Sequence, residues 1–361
     1  MTVLAGLLRD LIREQGPLDI GRYMTLALAH PEHGYYPSRD PLGASGDFIT
    51  APEISQLFGE LVGLALVQFW LDNGRPRPVL LVELGPGRGT LAADALRAAR
   101  VAPRFLEAAE LHLVEASPIL RARQAEVLGR HGPRWHATLD GVPATAPLLV
   151  IANEFFDVLP LRQFVRHRGR WHERLVGVDE AGAFQFGLAP RPSPVTVAGD
   201  VAEGAVLELA PAREAQAQAL AQRLAHQGGM ALIIDYGEQQ PCLADTFQAV
   251  RGHKSVGPLA APGETDLTAH VDFGAIAAAA AKGGAVPYGP VPQGQFLRRL
   301  GIELRLEQLL ARADPARTVP LQAGVRRLTA PDAMGELFKV MALTAPGASV
   351  PPGFEAGEAN P

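Results

Sequence analysis

Residues 81–90 read LVELGPGRGT, an apolar run closed by three glycines at alternate positions. An apolar run, a glycine turn and a helical pattern in that order describe a strand–turn–helix unit that brings a nucleotide against the backbone. Glycine allows the sharp turn and the close approach, and the helix start offers unpaired N–H groups. A dinucleotide pattern would put its third glycine at position 90, where this chain has Thr90. Gly85, Gly87 and Gly89 follow G-x-G-x-G instead. Glu83, just ahead of them, would repel a pyrophosphate. It suits a cation, such as the amino and sulfonium groups of S-adenosylmethionine. Register and charge together argue against a dinucleotide oxidoreductase.

The rhythm continues outward. ELHLVEAS (110–117), PLLVIANEFFD (147–157) and MALIIDYG (230–237) are further short apolar runs, separated by helical patterns such as PILRARQAEVLGR and AREAQAQALAQRLAHQ. Strands of this kind spaced by helices predict an α/β fold with a doubly wound parallel sheet covered on both faces. Ligands then bind at the carboxyl ends of the strands. Glu115 falls at one such end, where a carboxylate accepts hydrogen bonds from both ribose hydroxyls. That need is common to NAD and S-adenosylmethionine, and a solvated strand end is the alternative. Asp140, in WHATLDGVP, is placed near an adenine amino group.

The chain has 361 residues, a net charge of −5 and one cysteine, Cys242. A general nucleic-acid binder would be basic, so no nucleic-acid partner is expected. One cysteine makes no internal disulfide and accords with a reducing, cytoplasmic compartment. No run is apolar for long enough to cross a membrane, and the N-terminus reads as a helix without a signal or transit pattern. The expected organisation is a helical region with a loop over 1–76 and a Rossmann-like domain over 77–344. That domain carries an inserted β-hairpin arm at about 162–210 and a substrate region at about 245–330. A disordered tail is expected over 345–361, whose Gly/Pro-rich sequence has nothing to bury. The histidines show no metal-ligand spacing, so no metal is expected.

Past the strand in VIANEFFDVLP stand Asn153, Glu154 and Asp157. If a helical turn starts there, the two acids share one face. Paired carboxylates in that place suit a cationic acceptor, above all a guanidinium that has to meet a cofactor of like charge. The competing reading is a pair of acids stabilised by a helix dipole, with Asn153 as the cap.

In this order, GDFITAPEISQLFGELVG, VELGPGRGTL, ANEFFDVLPLRQF, IIDYGE and LFKVMAL resemble the MidA-like family of S-adenosylmethionine-dependent methyltransferases, from about Gly16 to about Thr344. The resemblance implies a class I methyltransferase fold with an N-terminal helical addition and an inserted substrate-recognition region. It also implies ω-N-methylation giving symmetric dimethylarginine near the N-terminus of the 49-kDa (NuoD-like) subunit of NADH:quinone oxidoreductase, complex I, in aid of its assembly. Carried over, Glu83, Gly85, Gly87, Gly89 and Glu115 hold the cofactor, and Glu154 and Asp157 flank the acceptor; Asp140, Asn153 and Thr50 are expected at the cofactor from their own positions in the sequence. Better-known arginine methyltransferases use two glutamates; here the second acid is an aspartate at shorter spacing. The rivals are a methyltransferase acting on a small amine or another protein, and a cofactor-binding assembly chaperone without catalysis. Homodimerisation is left open.

The loop SGDFITAPEIS would fold over the cofactor, with Asp47 and Glu53 at the acceptor. Alternatively, Thr50 and Glu53 form a capping box at a helix entry. Tyr35, with Tyr36, is expected to line the acceptor channel, with aromatic packing as the competing reading, and Asp235 to border it. Asp266 and His270 lie in a polar segment that closes over the site.

Overall fold

The computed structural model describes residues 2–38, 50–240 and 243–360. Asp47, Phe48, Ile49 and Cys242 therefore lie outside the described residues. Helix α1 (Val3–Gln15) starts where the Thr2 hydroxyl accepts the Ala5 N–H at 3.0 Å, and it stops at Gly16, whose φ of 87° suits only glycine. Helix α2 (Ile20–Ala29) is capped by Asp19 and ends before His30-Pro31, since the residue preceding a proline is driven out of the helical region. A single turn over Ala51–Ile54 leads into α3 (Gln56–Asp72).

The Rossmann-like unit follows. It comprises β1 (Val79–Leu84), α4 (Thr90–Ala98), β2 (Ala109–Val114), α5 (Pro118–Leu128), β3 (Arg134–His136) and β4 (Leu148–Asn153). The arm contributes β5 (Arg162–His167), β6 (Arg170–Val178), β7 (Phe184–Leu188) and β8 (Val206–Leu209). Helix α6 (Pro211–Gln227) and β9 (Gly229–Glu238) return to the central sheet. Strands β10 (Gln248–Arg251), β11 (Lys254–Val256) and β12 (Asp266–Thr268) form a small separate sheet. Then come α7 (Phe273–Lys282), β13 (Val286–Pro292), α8 (Gln293–Arg299), α9 (Ile302–Leu310), α10 (Pro315–Thr329) and β14 (Phe338–Thr344).

The central sheet has the order β13-β14-β9-β4-β1-β2-β3. From β9 to β3 every pairing is parallel, as the sequence predicts, whereas β14 runs antiparallel to both its neighbours. This is the strand arrangement of a class I methyltransferase, and the reversed strand is the departure from an all-parallel sheet. An apolar run fixes burial but not direction, and β14 comes back through helices α8 to α10 to slot between strands already laid down. Alternation along β1 separates the two faces. Val79 and Leu81 pack with Phe58 and Phe69 of α3, while Leu80, Val82 and Leu84 pack with Leu220 and Leu224 of α6. Fully burying each such side chain stabilises the fold by about 1.5–3 kcal/mol.

Two expectations need correction. The arm is not a lone hairpin: β5 to β8 form an antiparallel sheet that Leu18–Asp19 of the N-terminal region extends by pairing with β6. The tail is not disordered. Phe354 is buried against Phe296 and Tyr288, Arg299 binds Glu355 and Glu358, and the Asn360 N–H donates to the Pro287 carbonyl at 2.8 Å. One aromatic and two acids in a Gly/Pro-rich run are enough to dock it where the fold offers an apolar slot and an arginine.

Candidate functional site

A cavity of about 660 Å³ opens at the carboxyl ends of β1, β2, β4 and β9. Its far wall comes from Tyr36, β10 and β12, and from His270. Among its lining side chains are six acids, Glu53, Glu83, Glu115, Glu154, Asp157 and Asp266, against one arginine, Arg88, and His270, whose imidazole burial holds below its ordinary pKa and so towards the neutral form. A pocket this acidic selects cations.

Glu83 closes β1 and is 4 % exposed. Burial pushes its carboxyl up to about 8, partly offset by a hydrogen bond from the Ala92 backbone, and its Oε2 has no partner. A buried carboxylate oxygen left unsatisfied beside a cavity fits a cationic group of the ligand. Glu115 accepts the Ser117 N–H (2.7 Å) on Oε1 and the Gln124 amide (3.3 Å) on Oε2. Each oxygen keeps acceptor capacity for a hydroxyl. Gln124 is held in turn by the Gly87 carbonyl (2.7 Å) and Trp135 Nε1 (2.9 Å), so one buried side chain ties the glycine turn to the ribose-type acid.

Gly85, Gly87 and Gly89 all have positive φ, at 63°, 53° and 82°. Gly85 and Gly87 line the cavity. Gly89 does not: a Cβ there would lie 2.9 Å from Leu128 Cδ1, so it serves the packing of α5 against the turn. Asp140 sits exposed on the short turn Leu139–Gly141; its neighbours Thr138 and Leu139 reach the cavity wall and it does not.

Thr50 and Glu53 both line the cavity, yet they do not form a capping box. Thr50 makes no side-chain cap bond, and Glu53 reaches across to accept the Thr90 hydroxyl at 2.6 Å. The turn over Ala51–Ile54 is thereby latched to the start of α4. It is latched again at Glu154, whose Oε1 accepts the Ala51 N–H at 3.2 Å.

No helix follows β4, which removes the helix-dipole reading of its acids. Residues 154–159 form an irregular turn in which Glu154 has a φ of 50°. A non-glycine residue there costs about 1–3 kcal/mol and persists only where the surroundings impose it. Asn153 is consequently not a cap: its Nδ2 donates to Glu154 Oε1 at 3.1 Å. Burial and then the charge of Asp157 raise the Glu154 carboxyl to about 7. Asp157, 4 % exposed, is also raised by burial; its Oδ2 accepts the Tyr236 hydroxyl at 2.9 Å and its Oδ1 has no partner.

Of the remaining expected residues, Tyr35 is fully buried behind the wall, with its ring edge-on to Tyr36 at 5.2 Å. It is Tyr36 that lines the cavity and donates to Asp266 at 3.0 Å. Asp235 is also fully buried and off the wall, while the adjacent Tyr236 is on it, edge-on to His270 and Phe338. Asp235 and Tyr236 are neighbours on a strand and face opposite ways, whereas Tyr35 and Tyr36 start a short helix, Tyr35–Ser38, and point about 100° apart; the sequence did not reveal which of each pair faces the site. Gln124, Phe155 and Phe338 were missed; nothing in their local sequence marks them. Among the described residues no group of side chains could hold a metal ion, and no helix is long and apolar enough to cross a membrane.

Comparison with known proteins agrees with this geometry. The family model for S-adenosyl-L-methionine-dependent methyltransferases matches residues 61–291. The Drosophila melanogaster protein named "Protein arginine methyltransferase NDUFAF7 homolog, mitochondrial" is 41% identical over 374 residues, covering 94% of this chain and 84% of its own. Human protein arginine methyltransferase NDUFAF7, mitochondrial, is 37% identical over 361 residues, covering 92% and 81%. A Burkholderia thailandensis protein crystallised with S-adenosyl-homocysteine is 33% identical with a TM-score of 0.87, covering 99% of this chain and 95% of that one.

Proposed function

The chain belongs to this family of S-adenosylmethionine-dependent methyltransferases, and from that premise we propose that it is a protein arginine ω-N-methyltransferase. Its acceptor, in this reading, is an arginine near the N-terminus of the 49-kDa (NuoD-like) subunit of NADH:quinone oxidoreductase, dimethylated symmetrically in aid of assembly. The single cysteine accords with action in a reducing, cytoplasmic compartment. One observation carries the choice of acceptor: two carboxylates, the part-buried Glu154 and the buried Asp157, line the same cavity as Glu83, and Asp157 still has a buried oxygen without a partner.

S-adenosylmethionine supplies the electrophilic methyl group. Glu83 would hold its cationic part, Glu115 its ribose, and the Gly85–Gly87 backbone would admit it closely. Glu154 and Asp157 would grip the guanidinium fork, offset its repulsion from a cation, and fix the attacking nitrogen in line. N-methylation of a guanidinium releases one proton. Glu154, with its carboxyl near 7, is poised to take it at neutral pH. Tyr36, Tyr236 and Phe338 line the cavity and would keep water from the reacting nitrogen.

The test combines the purified chain, labelled S-adenosylmethionine and the purified 49-kDa subunit homologue of the same organism, with peptide mass spectrometry. Symmetric dimethylarginine near the subunit's N-terminus is the expected product. Label confined to a small amine, or complementation of a deletion strain by a Glu154→Gln, Asp157→Asn variant, refutes the proposal.

A further inference from the structure

Asp235 and Arg213 are both nearly inaccessible and neither lines the cavity. Asp235 Oδ2 accepts the backbone N–H groups of Phe156 (3.0 Å) and Asp157 (3.2 Å), and its Oδ1 accepts that of Tyr236 (2.9 Å). Arg213, reaching in from α6, donates to carbonyls: Asp157 (2.8 Å), Leu159 (3.3 Å), His270 (2.5 Å) and Ala269 (3.3 Å). A buried carboxylate thus gathers the amides of the turn after β4, and a buried guanidinium gathers its carbonyls together with those of the opposite wall. The adjacent carbonyl of Ile234 fixes the start of the same turn by accepting the Glu154 N–H at 2.9 Å.

Buried ions are a poor way to add stability, because an apolar pair of similar volume does as well; their better-attested use is to specify one arrangement. The arrangement specified here is unusual, since it holds Glu154 at a positive φ and presents Glu154 and Asp157 to one cavity. We propose that Asp235 and Arg213 are positioning residues that set the Glu154–Asp157 turn, and the His270 wall facing it, at the geometry that binds a guanidinium. This rests on the acceptor reading given above. It assigns the first acid of IIDYGE, Asp235, and an arginine of α6 to acceptor geometry, and not to the cofactor.

A bisubstrate probe tests it without turnover: the analogue of S-adenosyl-homocysteine with a neutral CH in place of sulfur, bearing a guanidinium on a short alkyl tether at that carbon. The readout is the ratio of its Kd to that of S-adenosyl-homocysteine, by calorimetry, for the wild type and for Asp235→Asn, Arg213→Lys and Glu154→Gln. Charged hydrogen bonds to the guanidinium give the wild type a gain of about 10- to 100-fold. Asp235→Asn and Arg213→Lys are expected to lose most of that gain while binding S-adenosyl-homocysteine within about threefold of wild type. If Glu154→Gln abolishes the gain and both positioning variants keep it, the positioning role falls and the acceptor reading stands. No gain in the wild type overturns the acceptor reading, and the positioning role with it. Affinity for S-adenosyl-homocysteine that falls in step with the gain reduces the pair to a general fold determinant and overturns the proposal. Amide exchange in the unsubstituted protein adds a measurement independent of whether the variants fold. The Phe156 and Asp157 N–H groups should exchange as slowly as those of β9, and rapid exchange rejects the clamp.

Discussion

Replacing Glu83 by glutamine should stabilise the ligand-free protein and weaken cofactor binding, with a definite dependence on pH. The carboxyl ordinarily titrates near 4.5 and burial raises it to about 8 in the fold. The folded state therefore holds a proton that the unfolded chain has lost, so stability falls as pH rises from 4.5 towards 8 and is flat below that window. At about 1.4 kcal/mol per pH unit the gap amounts to on the order of 4 kcal/mol at pH 8, and to on the order of 3 at pH 7. Glutamine mimics the protonated acid and has no such cost. Urea titrations of wild type and Glu83→Gln at pH 5, 7 and 8 should show a small advantage for the variant at the first pH, about 0.8 kcal/mol, and a growing one at the others. The cofactor's charge would return the proton to solvent. At pH 7 about nine in ten Glu83 carboxyls are protonated, so binding should release about 0.9 proton more in the wild type than in the variant, read by calorimetry in buffers of different ionisation enthalpy. A variant less stable than wild type at pH 8, or equal proton release by the two, refutes the reasoning.

Glu154, with its carboxyl near 7, predicts methyl transfer whose kcat/KM rises with pH through about 7 and then levels. In Glu154→Gln that limb should vanish and the plateau drop by about 10²–10⁴-fold, checked in a pH–rate profile. Gly63 meets α4 so closely that a Cβ would lie 2.5 Å from Ala95 Cα. Gly63→Val should cost at least about 1–3 kcal/mol by overpacking, seen as a lowered urea midpoint. Phe354→Ala should cost about 3 kcal/mol, as for a core phenylalanine. If the tail contributes nothing, the thermal midpoint will not move.

Much of the fold was legible because burial leaves a periodic mark. The apolar runs within VLLVELG, ELHLVEAS, PLLVIANEFFD and MALIIDYG read as buried strands from their length and the helical patterns between them, and the structure has strands at 79–84, 109–114, 148–153 and 229–238; Gly85, Gly87 and Glu83 together set the class of ligand. The tail misled because its one aromatic, Phe354, finds its slot only once Phe296 and Tyr288 have been brought together.

The sequence by itself determined the main strands and helices of the Rossmann-like unit, the sheet's parallel half and the acidic character of its ligand-binding edge, since these follow from local periodicity and from residue type at strand ends. Tertiary structure alone decided the reversed direction of β14, the choice of Tyr36 over Tyr35 and Tyr236 over Asp235 at the wall, and the non-helical turn that turns Glu154 towards Ala51. The physical reason is that facing and direction are set by partners distant in the chain. Two of the three amides that Asp235 accepts, those of Phe156 and Asp157, lie almost eighty residues away, and no local pattern records them.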